Sequence, residues 1–262
     1  MPFIHRHSRN SKRGDNSLLI LDQHPLFRNA MPIYRLSRTI SFPPPELAEA
    51  DGLLAIGGDL RPERLVAAYR QGIFPWYSQG GPILWWFISP RLVLYPEELH
   101  ISRRLGRVLR HTPFQVRFDT AFAEVIGQCA TTRRASGQGT WITAAMRLAY
   151  GEMRRLGYAH SVECWQGDHL VGGLYGLRLD RVFFGESMFS LVDDASKIAF
   201  AALVARAKAL GIRLIDCQTT TAHLLRFGAR EIDGALFAAH LREWVAHTNP
   251  DGAWNDGDKE PS

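Results

Sequence analysis

Two apolar stretches of this chain each carry a carboxylate where a buried strand is expected. Glu186 stands among aromatic and thioether side chains in the run 183–190, and Asp216 follows a second apolar run. A carboxylate in such surroundings must be paired, hydrogen-bonded or neutralised, because its charge is poorly solvated there. Gln218 lies one strand period after Asp216, and residues i and i+2 of a strand share a face. The pattern predicts a functional site, although strand-end carboxylates that touch water would also produce it.

A basic helix face is the second candidate feature. The stretch Ser102 to His111 has the spacing of an amphipathic helix. Arg103, Arg107 and Arg110 share its outer face, with Arg104 beside them, and no acidic residue of the stretch balances them. Most such faces are only solvated, but an unbalanced one also suits phosphate groups or nucleic acid.

The composition is that of an ordinary globular protein. With 262 residues, 46% hydrophobic and 22% charged, the chain can form one large domain or two smaller ones. No apolar run approaches the roughly 18 residues of a membrane span, and the N-terminus lacks the apolar core of a secretory signal. We therefore expect no membrane association. Three widely spaced cysteines predict reduced core thiols rather than a zinc site. The net charge of +5 is compatible with an anionic partner without identifying one.

Hydrophobic periodicity predicts a mixed α+β chain, with helices and an antiparallel meander followed by a helix, a strand and two helices. Two helix starts are predicted from capping residues, one at Asp119 and one at Thr143. The predicted helices are 62–69, 102–111, one after Asp119, one after Thr143, 194–211, 220–227 and 235–246, and the predicted strands are 159–165, 170–177, 182–190 and 212–217.

Composition shifts divide the chain into four parts. Residues 1–32 are polar and basic without periodicity, which predicts a disordered extension, and residues 249–262 predict a flexible tail. Residues 33–92 predict a smaller N-terminal α/β domain with its own apolar cluster, and 93–248 predict the main α+β domain.

Several chemistries lack their sequence motif. There is no GxSxG elbow, zinc motif, P-loop or dinucleotide fingerprint. Arg134 to Gly139 matches the RxxGxG loop of acetyltransferases that bind CoA, but here it precedes the meander instead of following it. The link after the meander, 191–197, has two acids and no glycine, which disfavours a pyrophosphate. An acyl-CoA-dependent N-acetyltransferase and a non-catalytic RNA-binding protein remain alternatives.

Nine short motifs occur in one order along the chain. They are Gly-Ile-Phe-Pro-Trp (72–76), Leu-Trp-Trp (84–86), Leu-His-Ile-Ser-Arg (99–103), Gly-Thr-Trp-Ile-Thr (139–143), Ala-His-Ser-Val-Glu (159–163), Val-Gly-Gly-Leu-Tyr-Gly (171–176), Gly-Glu-Ser-Met-Phe-Ser (185–190), Ala-Ser-Lys (195–197) and Ile-Asp-Cys-Gln (215–218). Together they resemble the leucyl/phenylalanyl-tRNA–protein transferase family over about residues 33–245. One departure is Arg226-Phe227, which replaces a smaller Ser-Leu pair.

The resemblance implies a fold and an activity. It implies an acetyltransferase-like (GNAT-like) C-terminal domain behind the smaller N-terminal domain. It also implies a cytoplasmic enzyme that moves Leu, Phe or sometimes Met from aminoacyl-tRNA to proteins with an N-terminal Arg or Lys, which marks them for degradation. We expect a monomer that needs no cofactor and no metal.

The resemblance also assigns roles to residues. Gln218 would orient the attacking amine, Asp216 would polarise Gln218, and Glu186 would assist proton transfer or ester placement, with the group that moves the proton left open. The basic face of Arg103, Arg104, Arg107 and Arg110 is our hypothesis for tRNA binding. The implied pocket for the transferred side chain consists of Trp76, Trp141, Leu174, Phe183, Gly185, Met188 and Ile215.

Overall fold

The computed structural model describes residues 33–135 and 140–245 together with Trp254. A small sheet comes first in the chain. It has the strand order β1-β2-β4-β3, in which β1 and β2 are parallel and the other pairs antiparallel. Helix α1 lies between β2 and β3 in sequence, with Pro62 in its first turn. The bounds are β1 Tyr34–Leu36, β2 Leu53–Gly57, α1 Pro62–Tyr69, β3 Phe74–Pro75 and β4 Leu84–Trp86.

The large sheet has the strand order β11-β5-β10-β9-β8-β7-β6. Only the β9–β10 pair is parallel among its described strands, because α5 crosses between them. The strands are β5 Arg91–Leu94, β6 Gln115–Phe118, β7 Ala159–Gln166, β8 His169–Leu179, β9 Val182–Ser190, β10 Leu214–Gln218 and β11 Arg230–Ile232. The helices are α2 Arg103–Arg110, α3 Phe122–Ala135, α4 Ala144–Arg155, α5 Ala195–Ala209, α6 Ala222–Leu225 and α7 Gly234–Trp244.

Each face of the large sheet is covered by its own apolar layer. Side chains of α1, α3, α4, α7 and the small sheet bury one face, and those of α2, α5 and α6 bury the other. Alternating residues of β9 divide between the layers, since Phe184 faces the first and Phe183 the second. The α+β class predicted from the periodicity is confirmed, as are the meander β7–β9 and the bounds of α1.

The two predicted helix caps have different outcomes. Thr143 caps α4, since its Oγ1 accepts the Met146 N–H at 3.2 Å. The predicted cap at Asp119 is wrong. Asp119 has a positive φ of 60°, and its carboxylate accepts the Ser161 N–H and contacts His160. The N–H of Ala121, just before α3, is instead satisfied by a buried carboxylate of β7, that of Glu163.

The sheets also locate the division of the chain. The predicted boundary between residues 92 and 93 falls inside β5, which belongs to the large sheet. The predicted extension 1–32 lies outside the described residues, and Trp254 is the single described residue of the predicted tail 249–262. Trp254 is buried and stacks on His160 and Phe183. In the described part of the chain, no helix is both long and apolar enough to cross a membrane.

Candidate active site

A cavity of about 350 Å³ opens at the end of β10 and beside residues 185–188 of β9, between the small sheet and helices α5 and α6. Glu186, Asp216 and Gln218 all line it, so the structure brings together the three polar residues singled out from the sequence. The remaining wall is mostly apolar. Six of the residues assigned to the side-chain pocket line it as well, namely Trp76, Trp141, Leu174, Gly185, Met188 and Ile215.

The assignment of Phe183 to the side-chain pocket needs correction. It does not line the cavity, and its side chain is fully buried within the second apolar layer. The ring stacks on Trp254 with centroids 5.3 Å apart, and it covers Gly176 so closely that a Cβ there would lie 2.6 Å from it. Phe183 therefore supports the layer that carries Leu174 and Ile215 instead of touching a ligand.

A β-bulge sets the direction of Glu186. In the β8–β9 pairing, Tyr175 is opposite Ser187 and Gly176 is opposite Gly185, which leaves Glu186 as the extra residue. A Cβ on Gly176 would lie 2.2 Å from the Phe184 carbonyl oxygen, so this approach of the strands requires glycine. The bulge turns the carboxylate towards α1 and α4, where two tyrosine hydroxyls meet it.

The Glu186 carboxylate is buried but fully hydrogen-bonded. Tyr69 of α1 donates to Oε1 at 2.6 Å, Tyr150 of α4 donates to Oε2 at 3.1 Å, and Gln218 Nε2 donates to Oε1 at 3.0 Å. The hydroxyls of Tyr69 and Tyr150 also contact each other. Burial raises the pKa of Glu186 to about 7, helped by the nearby charge of Asp216, while the three hydrogen bonds lower it. A carboxyl group with this pKa can both accept and release a proton near neutrality.

The two tyrosines stay protonated. Burial, with the charge of Glu186 as a further cause, raises the pKa of both Tyr69 and Tyr150 well above 10. When Glu186 is ionised, both hydroxyls can donate to it. When Glu186 is protonated, the new proton can be donated to a tyrosine oxygen. Glu186, Tyr69 and Tyr150 can therefore stay hydrogen-bonded to one another in either protonation state of the carboxyl group.

Asp216 is held by an arginine that the sequence analysis did not single out. Arg91, the first residue of β5, donates from Nε to Oδ1 at 2.8 Å and from Nη2 to Oδ2 at 2.6 Å. Both side chains are fully buried. The guanidinium also lies over two rings, 4.9 Å from the centroid of Phe74 and 4.7 Å from that of Phe237. The Arg91–Asp216 pair thus joins β10 to the small sheet and to α7.

Gln218 owes its position to Asp216. The pairing of β10 with β5 shifts register between these two residues, and Gln218 adopts a φ of 60°. Non-glycine residues rarely adopt this conformation, and here Asp216 Oδ1 accepts the Gln218 backbone N–H at 2.9 Å. The contact between the two residues runs through the backbone and not through the side-chain amide. It directs the amide of Gln218 to Glu186.

Cys217 also lines the cavity, but its chemistry is suppressed. Burial raises the pKa of its thiol far above the usual value, and the charge of Asp216 raises it further. A thiol that stays protonated is a poor nucleophile. In the described residues, no three His, Cys, Asp or Glu side chains come together in an arrangement that would hold a metal ion.

The predicted basic face lies on α2. Arg103, Arg104, Arg107 and Arg110 are all exposed, and Ser102 caps the helix by accepting the Leu105 N–H at 3.2 Å. The expectation that nothing balances this face is wrong for Arg104, which donates to Asp194 at 3.0 Å. Asp194 comes from the turn before α5, which is why the helix sequence alone did not reveal it. Within the described part of the chain, the other three have no carboxylate within 4.0 Å.

Three residues of the site could not be found from the sequence. Tyr69 and Tyr150 lie in two of the predicted helices but were not singled out, and Arg91 fell outside every predicted element. Their role depends on contacts across 117, 36 and 125 residues of chain. The one usable signal was the pair of buried carboxylates, which had to find partners somewhere.

The site therefore combines a buried carboxyl group, whose pKa lies near neutrality, with an apolar cavity that can hold an apolar group beside it. Two family models match the chain. One, described as leucyl/phenylalanyl-tRNA protein transferase, covers residues 93–242, and one for the N-terminal domain of the same proteins covers 58–87. The chain belongs to the leucyl/phenylalanyl-tRNA–protein transferase family. The acetyltransferase-like class expected for the C-terminal domain stays a prediction.

Curated relatives agree over nearly their whole length. The chain is 53% identical over 224 residues to the leucyl/phenylalanyl-tRNA–protein transferase of Desulfotalea psychrophila, covering 86% of this chain and 99% of that protein. It is 56% identical over 224 residues to that of Syntrophobacter fumaroxidans, covering 86% and 96%. A GCN5-related N-acetyltransferase from Kribbella flavida superimposes with a TM-score of 0.34 at 13% identity, covering 65% of this chain and 60% of that one, too distant a likeness to bear on function.

Proposed function

We propose that this enzyme transfers Leu or Phe, and also Met, from aminoacyl-tRNA to the N-terminal Arg or Lys of acceptor proteins. The product is a peptide bond at the acceptor's N-terminus, which marks the protein for degradation. Charged tRNA is a cytoplasmic substrate, so the proposal places the enzyme in the cytoplasm, acting as a monomer without a cofactor or metal. The observation that carries the proposal is the contact of Gln218 with Glu186 at the wall of the apolar cavity.

The chemistry needs positioning more than activation. The aminoacyl ester is already activated, and an α-amine with a pKa of about 7.7–8.0 is partly neutral at pH 7. Its nitrogen attacks the ester carbonyl carbon, a C–N bond forms, and the C–O bond to the terminal ribose breaks. One proton leaves the amine and one is needed by the departing ribose oxygen. Holding amine and ester together supplies most of the rate.

Glu186 is the group we assign to the proton. Its pKa of about 7 lets the ionised form take the proton from the attacking amine and then deliver it to the ribose oxygen. Tyr69 and Tyr150 stabilise whichever form of the carboxyl group is present. Gln218 is not a base, but with its Nε2 engaged by Glu186 its carbonyl oxygen faces the amine and orients it. Asp216 fixes Gln218 through the backbone.

The apolar wall suits the side chain that is transferred. Leu174, Met188 and Ile215 line the cavity with Phe200 and Leu203 of α5. Unbranched Met adapts its shape readily, so Leu, Phe and Met side chains can share one pocket. Rejection of Val and Ile then depends on shape near Cβ, where one methyl group is worth about 1–3 kcal/mol.

The donor tRNA is held by its phosphates in this proposal. One enzyme accepts tRNAs of different sequence, and phosphate contacts position a nucleic acid without reading bases. Arg103, Arg107 and Arg110 lie on the exposed face of α2 and offer forked donors suited to phosphate. We assign the acceptor stem to this face, with Arg104 beside it.

The decisive experiment is a transfer assay with leucyl-tRNA and three peptides that differ only in residue one. We expect labelled Leu on the peptides that begin with Arg or Lys and none on the peptide that begins with Ala. CoA should not raise the melting temperature of the protein. Binding of tRNA without any transfer would refute the proposal in favour of a non-catalytic RNA-binding protein, and a thermal shift with CoA would favour an acetyltransferase.

A further inference from the structure

A second cavity of about 490 Å³ adjoins the active-site cavity. Both cavities are lined by His223 of α6, which therefore stands between them. The second cavity lies between the start of α2, the turn before α5 and the end of α6. Its remaining polar lining consists of His100, Ser102, Arg104, Asp194, Lys197 and Arg226.

The charges of this second cavity do not balance. Arg104, Lys197 and Arg226 line it, and Asp194 is its single carboxylate. Asp194 is already shared, because it accepts from Arg104 Nη2 at 3.0 Å and also contacts Lys197 Nζ. Arg226 is exposed, and no carboxylate of the described residues lies within 4.0 Å of it. The cavity therefore carries a cationic surplus that an anionic ligand would neutralise.

His223 adds an unused polar atom at the junction. Its Nε2 is buried and has no hydrogen-bond partner among the described residues. Burial lowers the pKa of His223, and the charges of Lys197 and Arg226 lower it further, so the ring is neutral at pH 7. A neutral imidazole can donate or accept one hydrogen bond there. Buried polar atoms are normally paired, and a ligand that spans the junction would pair this one.

We infer that the second cavity binds the phosphodiester group that precedes the terminal nucleoside of the aminoacylated donor. This inference rests on the proposed function, which places the aminoacyl ester in the first cavity. The ester is carried by the terminal ribose, and the nearest phosphate lies on the other side of the same sugar. A ribose at the His223 junction would therefore direct that phosphate to Arg226, Lys197 and Arg104.

This role differs from that of the α2 outer face. Arg103, Arg107 and Arg110 are spaced by four and three residues, so they share one side of the helix, while Arg104 is turned towards α5 and contacts Asp194. The outer face suits a stem that continues away from the site. The second cavity suits a single phosphate next to the reacting group, so a minimal donor can test it alone.

The test compares two small donors, the leucyl ester of adenosine and the same ester carrying a 5′-phosphate, with an Arg-initiated peptide as acceptor. In the wild-type enzyme the 5′-phosphate should raise kcat/KM roughly 10-fold, because hydrogen bonds between charged groups are stronger than those between neutral groups. In Arg226→Gln the ratio of the two kcat/KM values should fall to about a third of the wild-type value or less. Arg242→Gln removes the same charge from an exposed position of α7 and should keep the wild-type ratio.

Calorimetry with AMP and with adenosine gives a readout that does not depend on transfer. AMP should bind more tightly than adenosine to the wild type, and Arg226→Gln should reduce that preference while Arg226→Lys retains part of it. Equal use of both donors by the wild type, or an unchanged ratio in Arg226→Gln, would overturn the inference and leave the proposed function intact. If no donor supports transfer, the proposed function fails, and the AMP preference alone decides whether the cavity binds phosphate.

Discussion

Replacing Arg91 with Met should show how much the fold depends on the buried pair behind the active site. The variant keeps most of the side-chain volume but leaves the carboxylate of Asp216 buried without its two donors. In the wild type these are Nε and Nη2 of Arg91, at 2.8 and 2.6 Å. Breaking a fully buried pair typically costs about 3–5 kcal/mol. For a chain of this size each kcal/mol lowers the melting temperature by about 2–4 °C, so we expect a fall of about 6–20 °C.

Arg230→Met is the matched control. Arg230 makes the same bidentate contact with Glu98, at 3.0 and 3.0 Å, and also lies over a ring, that of Tyr95. The difference is exposure, because the Arg230 and Glu98 side chains are 53% and 47% exposed. A solvated pair is worth about 0–1 kcal/mol. The stability of both variants is measured by thermal and urea unfolding. Equal losses of stability in Arg91→Met and Arg230→Met would refute the reasoning that burial makes the Arg91 pair important.

The double variant Arg91→Met/Asp216→Asn separates stability from function. It removes both charges, so no ion stays buried alone, and we expect it to recover a large part of the stability lost by Arg91→Met. Transfer activity should not recover, because the carboxylate that holds the left-handed backbone of Gln218 is missing. Recovery of activity together with stability would show that Asp216 acts only as a partner for Arg91.

Three further predictions concern the site and its surroundings. Because the Glu186 pKa is about 7 in the folded protein against an ordinary 4.5, the wild type should lose stability as pH rises from about 4.5 to 7, in total about 3 kcal/mol. Glu186→Gln should reduce this dependence of stability on pH and be more stable than the wild type at pH 8. If urea unfolding at pH 5 to 8 gave both proteins the same dependence of the unfolding free energy on pH, the pKa assigned to Glu186 would be wrong. Trp141→Ala should raise KM for leucyl-tRNA at least 10-fold while changing the affinity for uncharged tRNA little, whereas equal losses would indicate a folding role. Replacing Arg103 and Arg107 with Gln should raise KM for leucyl-tRNA and reduce the slope of log K against log salt by roughly 0.7–0.9 per lost contact; an unchanged slope would mean that the stem binds elsewhere.

Local signals in the sequence predicted the long elements well. Pro62 near a first turn, the Thr143 cap and the turn residues of the meander act over a few positions, so they could be recognised from the chain alone. Strands β5, β6 and β11 were missed because they have three or four residues and no clear alternation. The pairing partners of β5 and β11 also lie far along the chain, as in the pairing of β5 with β10.

The site shows the same division. Glu186 and Asp216 could be predicted because a carboxylate within an apolar run is a local signal that can be recognised in the sequence. The identity of their partners is a tertiary property, which is why Tyr69, Tyr150 and Arg91 were not found. The bulge at Glu186 and the register shift before Gln218 break strand alternation, so alternation could not give the directions of these side chains.

The order of strands in the large sheet also determines when a newly made chain can assemble its candidate active site. Strands β6 to β9 pair with neighbours in sequence and can form while synthesis continues. Strand β5 leaves the ribosome early, but it pairs only with β10 and β11, which are made near the end. Glu186 therefore has no Gln218 beside it, and Asp216 no Arg91, until translation is almost complete. In the proposed mechanism, a nascent chain still attached to its own peptidyl-tRNA therefore cannot yet use the charged tRNAs that surround it.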